Sequence, residues 1–373
     1  MVMKSLEVQS LNIPFKQAFV HASAVRAKTE SVLVTVVDES GVIGFGEGCP
    51  RSYVTGETVA SIERFVELHR NQWMRFATIR DVRAWIGEHG AVIDENPAGW
   101  CAVETAVLDL LGKEAGQSID ALLDLPPLAG TFQYSAVLGT EDLVSFKKQL
   151  QRYLAAGFTD FKVKVTGRLQ DDLDKLQQTA EAGHPSIRVR LDANNLWSDA
   201  DDAVAYLKQL PGRITAIEEP LKAGDYNGCR RVAHELKIPI ILDESFLRVE
   251  QFAAIEAAPS MWIINLRVSK MGGLLRSLAV AQRAKDAGIP IIVGAQVGET
   301  SILTRVALTV ANRYRDILIA QEGAFGTLLL ERDLCEPSLM FGAGGRLDTS
   351  IVSGGAGLGL ASCEIQGGND GTC

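Results

Sequence analysis

Histidine and cysteine are scarce, with five and six among 373 residues, and no Cys-x-x-Cys pair occurs. The cysteines (Cys49, Cys101, Cys229, Cys335, Cys363 and Cys373) are spread along the chain. Scattered thiols in a chain of this length argue against a disulfide frame or zinc site, and for reduced thiols in a cytoplasmic protein. No apolar run reaches the roughly 18 residues that a membrane span needs. The opening MVMKSLEVQS lacks the basic-then-apolar layout of a secretion signal. Basic charge is in deficit, 37 Lys and Arg against 46 Asp and Glu, for a net charge of −9. Nucleic acids and anionic membranes both require a basic face, so neither is an expected partner.

What is present is the pattern of a soluble enzyme, 47% hydrophobic and 22% charged. The length favours one large domain plus a smaller one. Residues 1–127 read as an α+β module. Two β-rich runs, Ser31–Val37 and Gly41–Gly46, flank an Asp-Glu-Ser turn, and helical periodicity follows over Thr58–Leu68, Arg80–Glu88 and Trp100–Ala115. Pro14–Arg26 and Cys49–Glu57 read as loops. Across 128–327, short apolar runs alternate with helical stretches. The runs are Thr131–Val137, Phe161–Val165, Ile187–Leu191, Ile214–Ile217, Ile238–Leu242, Trp262–Leu266, Pro290–Val293 and Ile317–Ala320. Repeated strand–helix units put the strands parallel and close as a TIM-type (β/α)7-8 barrel, with the first module as its cap. Residues 328–373 add no unit and are expected to return to the cap, with a disordered tail after about residue 362.

In such a barrel the chemistry lies at the C-terminal ends of the strands. The second strand ends in Lys162-Val163-Lys164, and period-two alternation turns both lysines inward. Two amines inside a barrel are costly unless paired or used. The next three strands end in Asp192-Ala193-Asn194, Glu218-Glu219-Pro220 and Asp243-Glu244-Ser245. A single acid after a strand is more often a helix cap. Three in succession behind Lys-x-Lys form a hard oxygen set suited to Mg²⁺, with Mn²⁺ as a substitute. Removing a proton α to a carboxylate builds a second negative charge. A divalent cation would stabilise that charge, while a lysine depressed by cationic neighbours serves as base.

These motifs, together with Met271-Gly272-Gly273 and the stretch GFGEGCPRSYVTGET, resemble the muconate lactonizing subgroup of the enolase superfamily over nearly the whole chain. The resemblance implies Asp192, Glu218 and Asp243 as metal ligands and Lys164 as base. It implies Lys162 as the neighbour that depresses Lys164 and touches the substrate carboxylate, and Asn194 just behind the metal. Glu219 is the weaker acid of its pair.

The family frame Asn-x-Lys at the end of strand six reads Asn265-Leu266-Arg267 here, with Lys270 three residues on. Alternation places Asn265 and Arg267 on the inward face and Lys270 in the following loop. Arginine is a poor proton carrier, so one lysine facing one arginine suits elimination or cycloisomerisation of a small carboxylate. The alternative, an amino-acid or dipeptide racemase or epimerase, requires Lys270 opposite Lys164. A barrel that binds a carboxylate without turnover is the remaining reading. None of His21, His69, His89, His184 and His234 lies at the end of strand seven, which argues against a His–Asp dyad. Gln321–Thr327 resembles the Glu-Gly-x-x-Gly-Thr stretch of lactonizing enzymes and lacks the Asp-x-Asp with which dipeptide epimerases meet an ammonium group. Glu299 and Glu322 are candidate substrate contacts or acids, or equally partners of Arg267. Asn194, Asn265 and the cap-loop residues Phe19, His21, Arg51 and Tyr53 are candidate substrate contacts. A homo-oligomer is expected of barrels of this type.

Overall fold

The structure is a computed structural model that describes residues 3–21, 24–139, 142–182, 186–352 and 354–360. The sequence predictions for residues 363–373, including two cysteines and the tail, lie outside the described residues, as do the side chains of Phe19 and His21.

The first part of the chain builds β1 (Met3–Leu11), β2 (Pro14–His21), β3 (Ala24–Lys28), β4 (Ser31–Asp38) and β5 (Ile43–Gly48). Next come helices α1 (Val59–Trp73), α2 (Ile79–Glu88), α3 (Gly90–Glu95), α4 (Pro97–Ala115) and α5 (Ile119–Leu122). β1, β4 and β5 form an antiparallel sheet. The stretch expected as a loop, Pro14–Arg26, lies largely in the β2–β3 hairpin. α4 packs unusually close to β5, because a Cβ at Gly46 would lie 2.0 Å from the Ala102 carbonyl oxygen and one at Gly44 2.2 Å from that of Ala106. Only glycine permits that approach. α4 ends at Gly116, whose left-handed φ of 63° closes the helix.

The barrel follows, with β6 (Thr131–Gln133), β7 (Ala136–Leu138), α6 (Leu143–Ala155), β8 (Asp160–Lys164), α7 (Leu169–Glu181), β9 (Arg188–Asp192) and α8 (Ala200–Leu207). It continues with β10 (Ile214–Glu218), α9 (Tyr226–Leu236), β11 (Ile240–Leu242), α10 (Phe252–Ile255), β12 (Trp262–Arg267), α11 (Val268–Met271) and α12 (Leu274–Ala287). The last elements are β13 (Ile291–Gly294), α13 (Ser301–Arg313), β14 (Leu318–Gln321) and β15 (Arg346–Asp348). β7 to β14 form one eight-stranded parallel sheet in sequence order. The Ser135 amide donates to the Gln321 carbonyl at 2.8 Å and joins its two edges. The run Thr131–Val137, expected as one strand, breaks after Gln133, because β6 leaves the barrel to pair antiparallel with β15.

Alternation along the strands sorts the residues into two cores. Phe161, Val163, Leu191, Ile217, Ile240, Leu242, Ile264, Leu266, Ile291 and Val293 point outward against the helices. Ala216, Ile241, Ile263, Ile292 and Ala320 fill the interior as a small apolar plug. Two residues beyond the plug the inward positions are Glu218, Asp243, Asn265, Gly294 and Glu322, polar on every strand but β13.

Candidate active site

The structure brings the acids and amines to one rim. Lys162 and Lys164 share the inward parity of β8, Asp192 ends β9, Glu218 ends β10, and Asp243 follows β11. They are nearly inaccessible, Lys162 at 5% and Lys164 at 6%, with Asp192, Glu218 and Asp243 at 2% each. The three acids are not helix caps. α8 is capped by Asp199 and α9 by Asp225, whose carboxylates accept backbone N–H groups of those helices. Glu219 belongs to the scaffold: it accepts from the Asp243 and Ser245 amides at 2.7 and 2.8 Å and from the Ser245 hydroxyl at 2.7 Å. It thereby fixes the turn after β11 that carries Asp243.

Buried charges persist only when paired, and Lys162 is the most fully paired. Lys162 Nζ lies 2.8 Å from Glu218, 3.1 Å from Glu322 and 3.3 Å from Asp192. Burial alone would depress this amine, but Asp192, Glu218 and Glu322 together raise its pKa well above the ordinary value. Lys164 is different. Its Nζ donates to Asn194 Oδ1 at 3.1 Å and stands 4.0 Å from Asp192. Burial lowers its pKa, Asp192 opposes that, and the neighbouring Lys162 lowers it further. Of the two amines of Lys-x-Lys, Lys164 is the one whose proton is loosened, and Lys162 the one whose proton is held.

Four strands around the barrel, Arg267 ends β12 and faces the same pocket. It contacts Asp243 and donates to Gln296 Oε1 at 2.9 Å. Burial opposes its charge, but Asp243 and Glu244 raise its pKa, so the guanidinium stays protonated. Lys270, the alternative catalytic amine, does not reach the pocket. It lies in α11 and not in a loop, at 1% exposure. Its Nζ donates to Asp243 Oδ1 at 2.8 Å, to the Asp243 carbonyl at 2.7 Å and to the Asn265 carbonyl at 2.9 Å. It braces Asp243 from behind. Burial pushes the Asp243 carboxyl up, yet Arg267 and Lys270 hold it at about 2.

Asn265, expected at the substrate, is wholly buried and donates to Glu218 Oε1 at 3.3 Å. Gly294 makes room for it, since a Cβ there would meet Asn265 Oδ1 at 2.2 Å. Glu299 accepts from the Gln296 amide at 2.7 Å and does not line the pocket. Glu322 does line it, paired with Lys162 and with Arg190 at 2.9 Å. Burial raises the Glu322 carboxyl, but Lys162 and Arg190 outweigh burial and hold it at about 2. Arg51 is spent on backbone carbonyls, including that of Val297, and ties the cap to the loop after β13. Tyr53 reaches the pocket mouth and is 39% exposed.

Arg190, Glu244 and Gln296 complete the site and were not singled out from sequence. Arg190 was legible, because it shares parity with Asp192 and must point inward. It donates to Asp160 at 3.0 Å and to the Ser135 hydroxyl at 2.5 Å. The pocket joins the ionic residues of the rim to an apolar lining of Tyr53, Val137, Ala295, Val297, Phe325 and Leu329.

Three buried carboxylates on one rim have the donor chemistry for a hard divalent cation. Among the described residues no three acids converge as a ready-made cluster. Lys162 and Arg267 compete for the same oxygens, supplying from the chain the positive charge that a metal would otherwise bring.

Comparison with known proteins places this geometry. Residues 145–364 match the enolase C-terminal domain-like family model. The hydrophobic dipeptide epimerase of Enterococcus faecalis is 26% identical over 333 residues, covering 87% of this chain and 92% of that protein. A crystal structure of the dipeptide epimerase from the same organism, complexed with Mg and L-Leu-L-Tyr, superposes with a TM-score of 0.83 at 26% identity. It covers 97% of this chain and all of that one. Muconate lactonizing enzyme shares the fold, with a TM-score of 0.83 at 23% identity and 97% coverage of both chains. The similar proteins thus extend past the lactonizing subgroup that the motifs suggested, and the chain belongs to the enolase C-terminal domain-like family of the enolase superfamily.

Proposed function

We propose that this chain is a Mg²⁺-dependent isomerase that removes the proton α to the carboxylate of a small amino-acid-derived substrate, an epimerase or racemase in type. The observation that carries the reading is the depressed Lys164 amine set beside three buried acids on one barrel rim, with the pocket open above them. The epimerase named among the chain's relatives supports isomerisation at a carbon acid over other outcomes.

Asp192, Glu218 and Asp243 would hold the cation, which supplies charge stabilisation to the carboxylate as its α-carbon ionises. Lys164 accepts the α-proton, and Asn194 orients its amine. Lys162 stays charged and offers a fixed cation to the same developing charge. Arg267 faces the opposite side and stabilises charge there without carrying a proton, so inversion takes its second proton from solvent.

Arg267 favours a second reading, a one-base lyase or cycloisomerase, since that reaction needs no carrier on the second face. ¹H NMR in D₂O with Mg²⁺ and a library of carboxylates tests both. Exchange of the α-proton with growth of the epimer supports the isomerase; a new olefin or lactone supports the second reading. A library with no exchange and no product would remove both.

A further inference from the structure

We infer that Arg267 and Gln296 form a subsite for a second oxygen acceptor on the substrate, an acyl carbonyl or second carboxylate lying across the α-carbon from Lys164. The inference rests on the proton-abstraction reading above and names the substrate class for that site.

Gln296 follows β13, beside Arg267, and both line the pocket. Gln296 is 3% exposed, and its Nε2 has no hydrogen-bond partner. Its amide cannot be flipped, because Oε1 accepts from Arg267 at 2.9 Å and the reverse orientation would set donor against donor. The unmatched group is therefore an N–H donor. Arg267 Nε is a second buried donor without a partner. Unmatched buried donors are costly, and an incoming acceptor would relieve the cost.

The same wall offers little to a cation. Glu322 is committed to Lys162 and Arg190, and Asp243 to Lys270 and Arg267. Beyond the donors, Val297, Phe325 and Leu329 present apolar surface. The substrate that fits has its reacting carboxylate at the acids, an oxygen acceptor at Arg267 and Gln296, and an apolar group under Tyr53.

Four probes of matched side chain test this with Mg²⁺ present: N-acetyl-L-leucine, 2-isobutylsuccinate, L-leucine and 4-methylpentanoate. Exchange of the α-proton is followed in D₂O, and binding by calorimetry. The first or second probe should exchange and bind at least about tenfold better than the last two, for one hydrogen bond gained. Whichever of the two leads identifies the acceptor as acyl oxygen or carboxylate. Gln296→Leu should raise KM for that probe about tenfold with a much smaller change in kcat, the mark of a binding contact. Gln296→Glu, which keeps the packing, should weaken the same probe and improve L-leucine. Equal binding of all four probes, or unchanged KM in both variants, overturns the subsite. Selective binding without exchange in any probe keeps the subsite and removes the proton-abstraction reading instead.

Discussion

The two walls of the pocket each present a cationic side chain and do opposite things with it. On the β8 wall, Lys164 is held by one amide oxygen, with Asp192 4.0 Å away, and its proton is loosened by burial and by Lys162. On the β12 wall, Arg267 is locked to Asp243 and Gln296, and its proton is tightened. Family resemblance leads one to expect an amine on each wall. The difference teaches that the loosened proton and the fixed charge sit on separate walls, while Lys270, bound to the Asp243 carbonyl and carboxylate, faces neither.

Removing the metal should erase activity on either wall. Dialysis against EDTA is expected to bring α-proton exchange below detection, and Mg²⁺ to restore it; retained exchange after stripping would show that Lys162 and Arg267 suffice as counter-charges. Lys164→Ala should cost about 10²- to 10⁴-fold in exchange rate, the usual weight of a general base, with Mn²⁺ affinity little changed. A loss of Mn²⁺ binding to match would mean that Lys164 only organises the acids. Arg267→Lys puts a titratable amine on the second wall and should raise label incorporation from that face by about tenfold; unchanged facial selectivity would show that the identity of this cation does not set the asymmetry.

The pH profile sharpens the same contrast. A base must be neutral to work, and Lys164 is depressed below its ordinary 10.5. kcat/KM should therefore rise with pH through a transition below that value, and the rise should be absent in Lys164→Ala. A profile falling over that range would assign the proton carrier elsewhere.

The smallest effect concerns the attachment of the cap. Glu47 accepts from the Thr300 amide at 3.0 Å and the Thr300 hydroxyl at 2.7 Å, at the start of α13. Burial pushes its carboxyl from 4.5 to about 8. The folded protein thus holds this proton more tightly than the unfolded chain does. The contribution is full below 4.5 and is lost as pH rises through about 8. The melting temperature should fall over that window, and Glu47→Gln should flatten the fall by about 2–4 °C. Parallel curves for the two proteins would place the pH sensitivity in another group.

Much of this site was legible because strand parity is a local rule. Lys162, Lys164, Asp192, Glu218 and Asp243 each stand at a strand end on the inward period, and the structure brings all five to one rim. The same rule would have found Arg190, two residues before Asp192. Parity fails where the strand stops. Arg267 is the last residue of β12, and the short helix α11 then turns Lys270 back onto the Asp243 and Asn265 carbonyls. The β2–β3 hairpin has the local composition of a loop, and β6 has the apolar pattern of a barrel strand; only long-range pairing, β6 with β15, separates these cases.

The sequence by itself determined the architecture and the lysines and three acids at the rim, though not Arg190 or Glu244, because alternating strand–helix periods and strand-end residues are encoded within a few positions of one another. Tertiary structure decided which charges are free to react. That depends on partners far apart in the chain, such as Lys162 with Glu322 and Gln296 with Arg267, and on the burial that sets how tightly each proton is held.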